Sequence, residues 1–132
     1  MNGVVKVSVL SARLTISTET FGKMDPYAVL KLGNQEHKTN TAKDQGKTPV
    51  WHQDFTFNVF SSEPLVISLY DEDPGKDDLI GEVTIPVQQL LATTRLVDSA
   101  FPVMRKQKKN VGELYLKLEM LQPSHPGQPP RY

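Results

Sequence analysis

The chain has 132 residues, fifteen basic and fifteen acidic, with 38% hydrophobic and 23% charged side chains. That length suits one domain with a proper core, and the composition excludes collagen-like, fibrous and wholly disordered classes. The charge balance excludes the global cationic field that nucleic-acid binding needs, so no nucleic acid is expected as a partner.

The absence of cysteine removes disulfide frameworks, thiolate zinc sites and cysteine nucleophiles, and makes a cytoplasmic location the expectation. The opening apolar run is too short and interrupted for a signal peptide, and no run of about eighteen apolar residues occurs anywhere. Any membrane contact is therefore expected from the folded surface, reversibly and at the inner face.

Period-two alternation opens the chain: Val5, Val7 and Val9 face one way and Lys6 and Ser8 the other, which predicts a half-buried strand. Residues 26–32, 54–60, 65–70 and 79–85 are β-branched or aromatic runs between turn residues, with weaker candidates at 36–42 and 100–104. Trp51, Phe55, Phe57 and Phe60 are read as core. The one helical segment is Val87 to Ala92, behind Pro86 at the start position that tolerates a missing N–H. Leu114, Leu116, Leu118 and Met120 then alternate with polar residues in a last strand.

About eight short strands, with no long helix to make parallel crossovers, predict an all-β fold, an eight-stranded antiparallel two-sheet β-sandwich. The domain is expected to occupy residues 1–121 and a Pro-rich flexible tail residues 122–132, because the last ten residues hold four of the ten prolines and no aliphatic side chain. In that tail Pro129, Pro130 and Tyr132 resemble the Pro-Pro-x-Tyr motif, which makes a WW-domain protein a candidate partner.

The chemistry concentrates in Asp71-Glu72-Asp73-Pro74-Gly75-Lys76-Asp77-Asp78, five acids in eight residues between two apolar runs. Alternate side chains of an extended segment point the same way, so Asp71 and Asp73 project together, and the Pro-Gly turn returns Asp77 or Asp78 toward them. Carboxylates so close need a shared proton or a cation. Calcium suits them best: it takes about six to eight oxygens in flexible geometry, magnesium wants a stricter octahedron, and the scattered His37, His52 and His125 offer zinc no site. A solvated acidic hairpin is the competing account of this loop alone. A second acidic loop, Glu19 to Tyr27, adds Glu19 and Asp25, with Gly22 permitting a sharp turn and Asp25 held extended before Pro26.

The sequence resembles the C2 domain, the calcium-dependent phospholipid-binding β-sandwich family, over residues 3 to 121. The likeness rests on the strand Val5 to Ala12, the Gly22 to Tyr27 stretch ending in Asp-Pro-Tyr, and Thr48-Pro49-Val50-Trp51 leading into Asp54 to Val59. It continues in Tyr70-Asp71-Glu72-Asp73 with Asp78-Leu79-Ile80-Gly81, and in Gly112-Glu113-Leu114-Tyr115-Leu116. The resemblance implies calcium-binding loops gathered at one end of the sandwich, and the type II permutation, in which the first strand runs into the first acidic loop. It implies calcium as cofactor, with Glu19, Asp25, Asp71, Asp73 and Asp78 as ligands. Glu19 stands where Asp is usual, and the third loop is one residue short of the commonest form, which leaves Asp77 or Asp78 as the closing ligand.

Phe21, inside the first loop, is a candidate for membrane insertion or for packing on a neighbouring loop. Arg105, Lys106, Lys108 and Lys109, in a hairpin before the last strand, are candidates for lipid headgroups or for solubilising an edge. Lys31, Lys38, Lys43 and Lys47 are diluted by Glu36 and Asp44 and read as a solvated face. The expected function is calcium-dependent binding to anionic, phosphatidylserine-like phospholipid membranes, without catalysis. The alternative is a calcium-independent protein- or lipid-interaction adaptor. A hydrolase using paired carboxylates is disfavoured, because no Arg, His or oxyanion donor accompanies the acids.

Overall fold

The computed structural model describes residues 3–123. Its elements are β1 (Gly3–Leu14), β2 (Pro26–Leu32), β3 (Gln35–Lys38), β4 (Val50–Val59), β5 (Leu65–Asp71), β6 (Asp78–Ile85), the helical turn α1 (Val87–Leu90), β7 (Leu96–Arg105) and β8 (Lys109–Pro123). The strands follow one another in the order β3-β2-β5-β6-β7-β8-β1-β4. Between β6 and β7 the ladder narrows to a single pair, Glu82 with Met104. The eight strands therefore form two four-stranded antiparallel sheets joined at one seam, with one core between them holding Val5, Leu30, Phe57, Ile67, Leu116 and Leu118. This is the expected all-β sandwich.

Bulges set which side chains reach that core. In β1 the buried side chains of the hydrophobic core are Val5, Val7 and Val9, then Ala12 and Leu14. The change from odd to even positions comes from one extra residue, Leu10, in the register against β8, which rotates the strand by one face. Ile80 does the same in β6, where Leu69 pairs with Gly81 but Tyr70 with Leu79.

Three expectations need correction. Phe60 is not core: β4 ends at Val59, its inward positions are Trp51, Phe57 and Val59, and Phe60 has the opposite parity and is 69% exposed. The candidate strand at 36–42 is Gln35–Lys38, ending where Thr39 turns to bond Ala28. The helix stops at Leu90, with Pro86 as its cap residue and not its first helical one. The proposed tail motif of Pro129, Pro130 and Tyr132 lies outside the described residues, and β8 runs past Leu121 to Pro123.

The edge strands β3 and β4 meet through side chains. Gln35 donates from Nε2 to the Asn58 carbonyl at 2.7 Å and accepts the Asn58 N–H at Oε1 at 2.8 Å. His37 donates from Nε2 to the Thr56 carbonyl at 3.1 Å, with its ring stacked on Phe55 and edge-on to Phe57.

Gly112 carries the tightest steric constraint. It follows the extra residue Val111 in β8 and has a φ of 141°, and a Cβ there would sit 2.1 Å from the Arg13 carbonyl oxygen and 2.8 Å from the Leu14 Cα. Both obstacles are backbone, so relief requires separating β1 from β8. Gly112→Ala should therefore cost at least about 2 kcal/mol, well beyond an ordinary surface change. Urea denaturation should show a lowered midpoint at unchanged slope.

Candidate functional site

Asp71 is the last inward-facing residue of β5, in phase with the buried Leu65, Ile67 and Leu69, and it is 0% exposed. A buried carboxylate needs hydrogen-bond partners. Its Oδ1 accepts the Asp25 N–H and its Oδ2 the Thr18 hydroxyl, each at 2.8 Å. The Glu72 N–H returns a bond to the Asp25 carbonyl at 3.0 Å, and Pro26 pairs with Asp71 where β2 begins. The strand end thus fixes the first loop (residues 15–25) against the third (residues 72–77).

Local bonds then shape the first loop. Ser17 Oγ accepts the Glu19 N–H at 3.1 Å, Gly22 takes a φ of 76°, and Met24 fills the core at 0% exposure. The second loop, residues 39–49, closes on these: the Asp44 N–H donates to Asp25 Oδ1 at 2.6 Å, and the Gly46 N–H to the Met24 carbonyl at 2.9 Å. Thr41 also donates its hydroxyl to Glu72.

Carboxylate oxygens of Glu19, Asp71 and Asp73 come within 4.8 Å of one another, the group of this kind among the described residues. Like charges at that range raise each other's pKa. Asp73 is pushed up to about 7, first by a hydrogen bond with the Asp78 carboxyl, then by desolvation, a hydrogen bond with Glu19 and the Asp71 charge. Asp25 is outside that trio: its backbone N–H bonds Asp71, and its carboxylate accepts the Asp44 N–H.

Asp77 and Asp78 part company. Asp77 accepts the Tyr27 hydroxyl on Oδ2 at 2.5 Å and the Asp73 N–H on Oδ1 at 3.0 Å, and these bonds hold its carboxyl below the usual range. Burial, reinforced by the bond to Asp77, keeps the Tyr27 phenol protonated far above its ordinary pKa. Tyr27 is positioned from both faces, stacked on Tyr70 at 5.5 Å and under the Lys38 ammonium at 4.3 Å. Asp78 therefore reaches the trio through its bond with Asp73, while Asp77 is engaged by Tyr27 of β2.

The arrangement offers an all-oxygen donor set on two loops with one fixed, buried member. That chemistry fits a hard cation that takes carboxylate oxygens. Sequence reasoning missed Thr18, Tyr27 and Asp44, which position the acids. Only Tyr27, in Asp-Pro-Tyr, carried a signal.

Phe21 is 90% exposed at the tip of the first loop. The basic hairpin turns tightly through Lys106 and Gln107, at φ of 53° and 58°, and Arg105 donates to the Leu79 carbonyl at 3.2 Å. This brings Arg105, Lys106 and Lys109 to the same end as the acids, along a groove shared with Lys76, Asp77 and Asp78. Lys108 is on the hairpin but not in that groove. Lys31 pairs with Glu36 at 3.5 Å.

Raised and lowered carboxyls act on stability in opposite pH windows. The Asp73 proton is bound more tightly folded, near 7, than unfolded, near 3.8, so its contribution is full below about pH 3.8 and disappears as pH rises through 7. Asp77, lowered, contributes above its unfolded pKa and loses this as pH falls through its folded one. In chelator, Asp73→Asn should therefore gain stability relative to wild type as pH rises from 4 to 8. Urea midpoints at four pH values read the difference, and a constant difference would reject the carboxyl cluster as its cause.

A family model for the C2 domain matches residues 3–103. The chain is 34% identical over 128 residues to extended synaptotagmin-3 of Xenopus tropicalis, covering 91% of this chain but 14% of that protein. It is 32% identical over 110 residues to elicitor-responsive protein 3 of Oryza sativa subsp. japonica, covering 82% of this chain and 76% of that protein. Among solved structures, a C2 domain-containing protein from an elicitor-responsive gene matches with a TM-score of 0.80 and 28% identity, over 97% of this chain and 94% of that one. The calcium-bound pair of C2 domains of extended synaptotagmin 2 matches with a TM-score of 0.81 and 30% identity, over 91% of this chain and 46% of that one. With its sandwich and the family match over most of its length, the chain belongs to the C2 domain family.

Proposed function

We propose that this domain binds anionic phospholipid membranes when calcium fills the cluster, and that it recruits without catalysing. The observation that carries the reading is the convergence of Glu19, Asp71 and Asp73 within 4.8 Å on a buried, hydrogen-bonded Asp71. Family membership and the calcium-bound relative support it. Glu19, Asp71, Asp73 and Asp78 would hold the ion, with Asp25 beside them. Calcium would supply charge neutralisation and coordination positions for headgroup phosphate oxygens. Phe21, exposed at the loop tip, inserts at the interface, and the Arg105, Lys106, Lys108 and Lys109 hairpin adds attraction to an anionic leaflet. Among the described residues no helix is long and apolar enough to cross a membrane.

Calcium titration with and without phosphatidylserine vesicles tests the whole reading: calcium affinity should rise when vesicles are present, because each ligand completes the other's site. Vesicle binding unaffected by chelator would favour the calcium-independent adaptor.

Calcium binding to the folded loops should also stabilise the domain by about 2.7 kcal/mol at a hundredfold excess over its dissociation constant. Magnesium at equal concentration should do much less, and Asp73→Asn should abolish the calcium shift. Thermal unfolding reads all three, and equal shifts from both ions would reduce the effect to screening.

Removing Phe21 should act differently from removing charge. Phe21→Ala should weaken calcium-saturated vesicle binding by about 1–2 kcal/mol, and the loss should persist as sodium chloride is raised. Vesicle sedimentation across a salt series checks this, and wild-type binding by the variant at every salt would exclude insertion.

A further inference from the structure

A second groove, of about 460 Å³, lies at the end of the sandwich opposite the acidic cluster, between the β2–β3 turn and the β4–β5 loop. Its walls include Gly33, Asn34, Phe60 and Glu63, and no lysine or arginine is among its described lining residues. Phe60 is 69% exposed there. Glu63 forms no ion pair among the described residues, whose salt bridges are Lys6 with Glu119 and Lys31 with Glu36. Gly33, at a φ of 60°, keeps the turn low beneath that carboxylate, since a Cβ there would sit 3.0 Å from Glu63 Oε2. The groove thus combines an uncovered aromatic ring with an uncompensated negative charge.

The chain leaves its last strand beside this groove. β4 and β8 both run antiparallel to β1, and Gly3 pairs with Val59 on one side and with Pro123 on the other. Strand spacing therefore puts Pro123 about 10 Å from Val59, the residue before Phe60. Residues 124–132 follow, with Pro126, Pro129 and Pro130, one arginine, Arg131, and no acidic side chain. Proline-rich segments favour the extended polyproline form at about 3.1 Å per residue, so Arg131 can reach about 25 Å from Pro123. That is enough to cross β1 and β4 to the groove.

From this juxtaposition we infer that residues 124–132 dock in the groove of their own molecule, with Pro129 and Pro130 against the Phe60 ring and Arg131 against the Glu63 carboxylate. Polyproline segments dock on aromatic-lined grooves, and their restricted backbone loses little entropy in doing so. The opposite charges set the register. A short tether holds the segment at an effective concentration of the order of millimolar, an advantage that a second copy of the chain lacks. The acidic cluster is at the other end, so docking requires neither calcium nor lipid.

The chain has no cysteine, so Gln128→Cys supplies a single thiol for a nitroxide label in the full chain. Amide NMR should show broadening concentrated at Gly33, Asn34 and Ser61, and far weaker at Thr94 and Leu96, on the β7 side of β8. The pattern should be the same in calcium and in chelator. Phe60→Ala should lower the docking equilibrium about tenfold, the scale of uncovering an apolar side chain. Glu63→Gln and Arg131→Gln should each lower it about threefold, the scale of an exposed ion pair, and the double variant no further than either single. Phe60 is exposed and Arg131 lies beyond β8, so unchanged amide positions elsewhere verify folding. Equal broadening on both sides of β8, or groove broadening untouched by Phe60→Ala and Arg131→Gln, would overturn the docking. Broadening that passes from labelled protein to isotope-enriched, unlabelled protein in a mixture would assign the segment to a second copy and overturn the intramolecular site.

Discussion

A carboxylate placed at the final inward position of a core strand has to find hydrogen bonds or destabilise the fold. Asp71 continues the phase of Leu65, Ile67 and Leu69, so β5 delivers it into the interior with no solvent access. The Thr18 hydroxyl and the Asp25 N–H satisfy it. Those bonds in turn fix where the first loop starts and where it enters β2, and Asp25 passes the constraint to the second loop through Asp44. Three loops acquire a common geometry from one desolvated side chain. The exposed acids, Asp78 and the Asp-Pro-Gly segment, are then arranged around an anchor and not around one another.

Much of this was legible in the sequence because strand alternation is strictly local. Val5, Val7 and Val9, and Leu114 to Met120, are buried as their spacing predicts. The errors about which face a residue takes share one cause, that a bulge or a strand end changes parity without changing composition. Phe60 reads as another member of an aromatic series but falls one residue beyond β4 on the other face. The β6 bulge at Ile80 leaves Leu79 39% exposed beside the groove. At the site, spacing placed Asp71 and Asp73 together, because i and i+2 share a face. It left Asp77 and Asp78 open, since the distinction depends on Tyr27, fifty residues away in sequence, capturing one of them. No one-dimensional pattern announces Thr18 or Asp44, whose contributions are a hydroxyl and a backbone N–H.

Tyr27 also organises charge. By engaging Asp77 it withdraws one acid from the cluster and from the groove cations alike, while Lys38 and Tyr70 hold its ring from either face. Acidic and basic surfaces can then lie side by side at one end of the sandwich without neutralising each other. Arg105 keeps the basic hairpin in place by bonding backbone carbonyls, which leaves the carboxylates free of it.

The side-chain bonds from Gln35 and His37 to β4 bear on how this molecule meets other chains. An outermost strand ordinarily presents a ready template for a foreign strand, the route by which many domains capture extended peptides or aggregate. Here the Asn58 N–H and carbonyl and the Thr56 carbonyl are already engaged by β3. An incoming strand would have to break three hydrogen bonds to form its own. Addition of a strand over the Thr56–Asn58 end of β4 is thereby opposed.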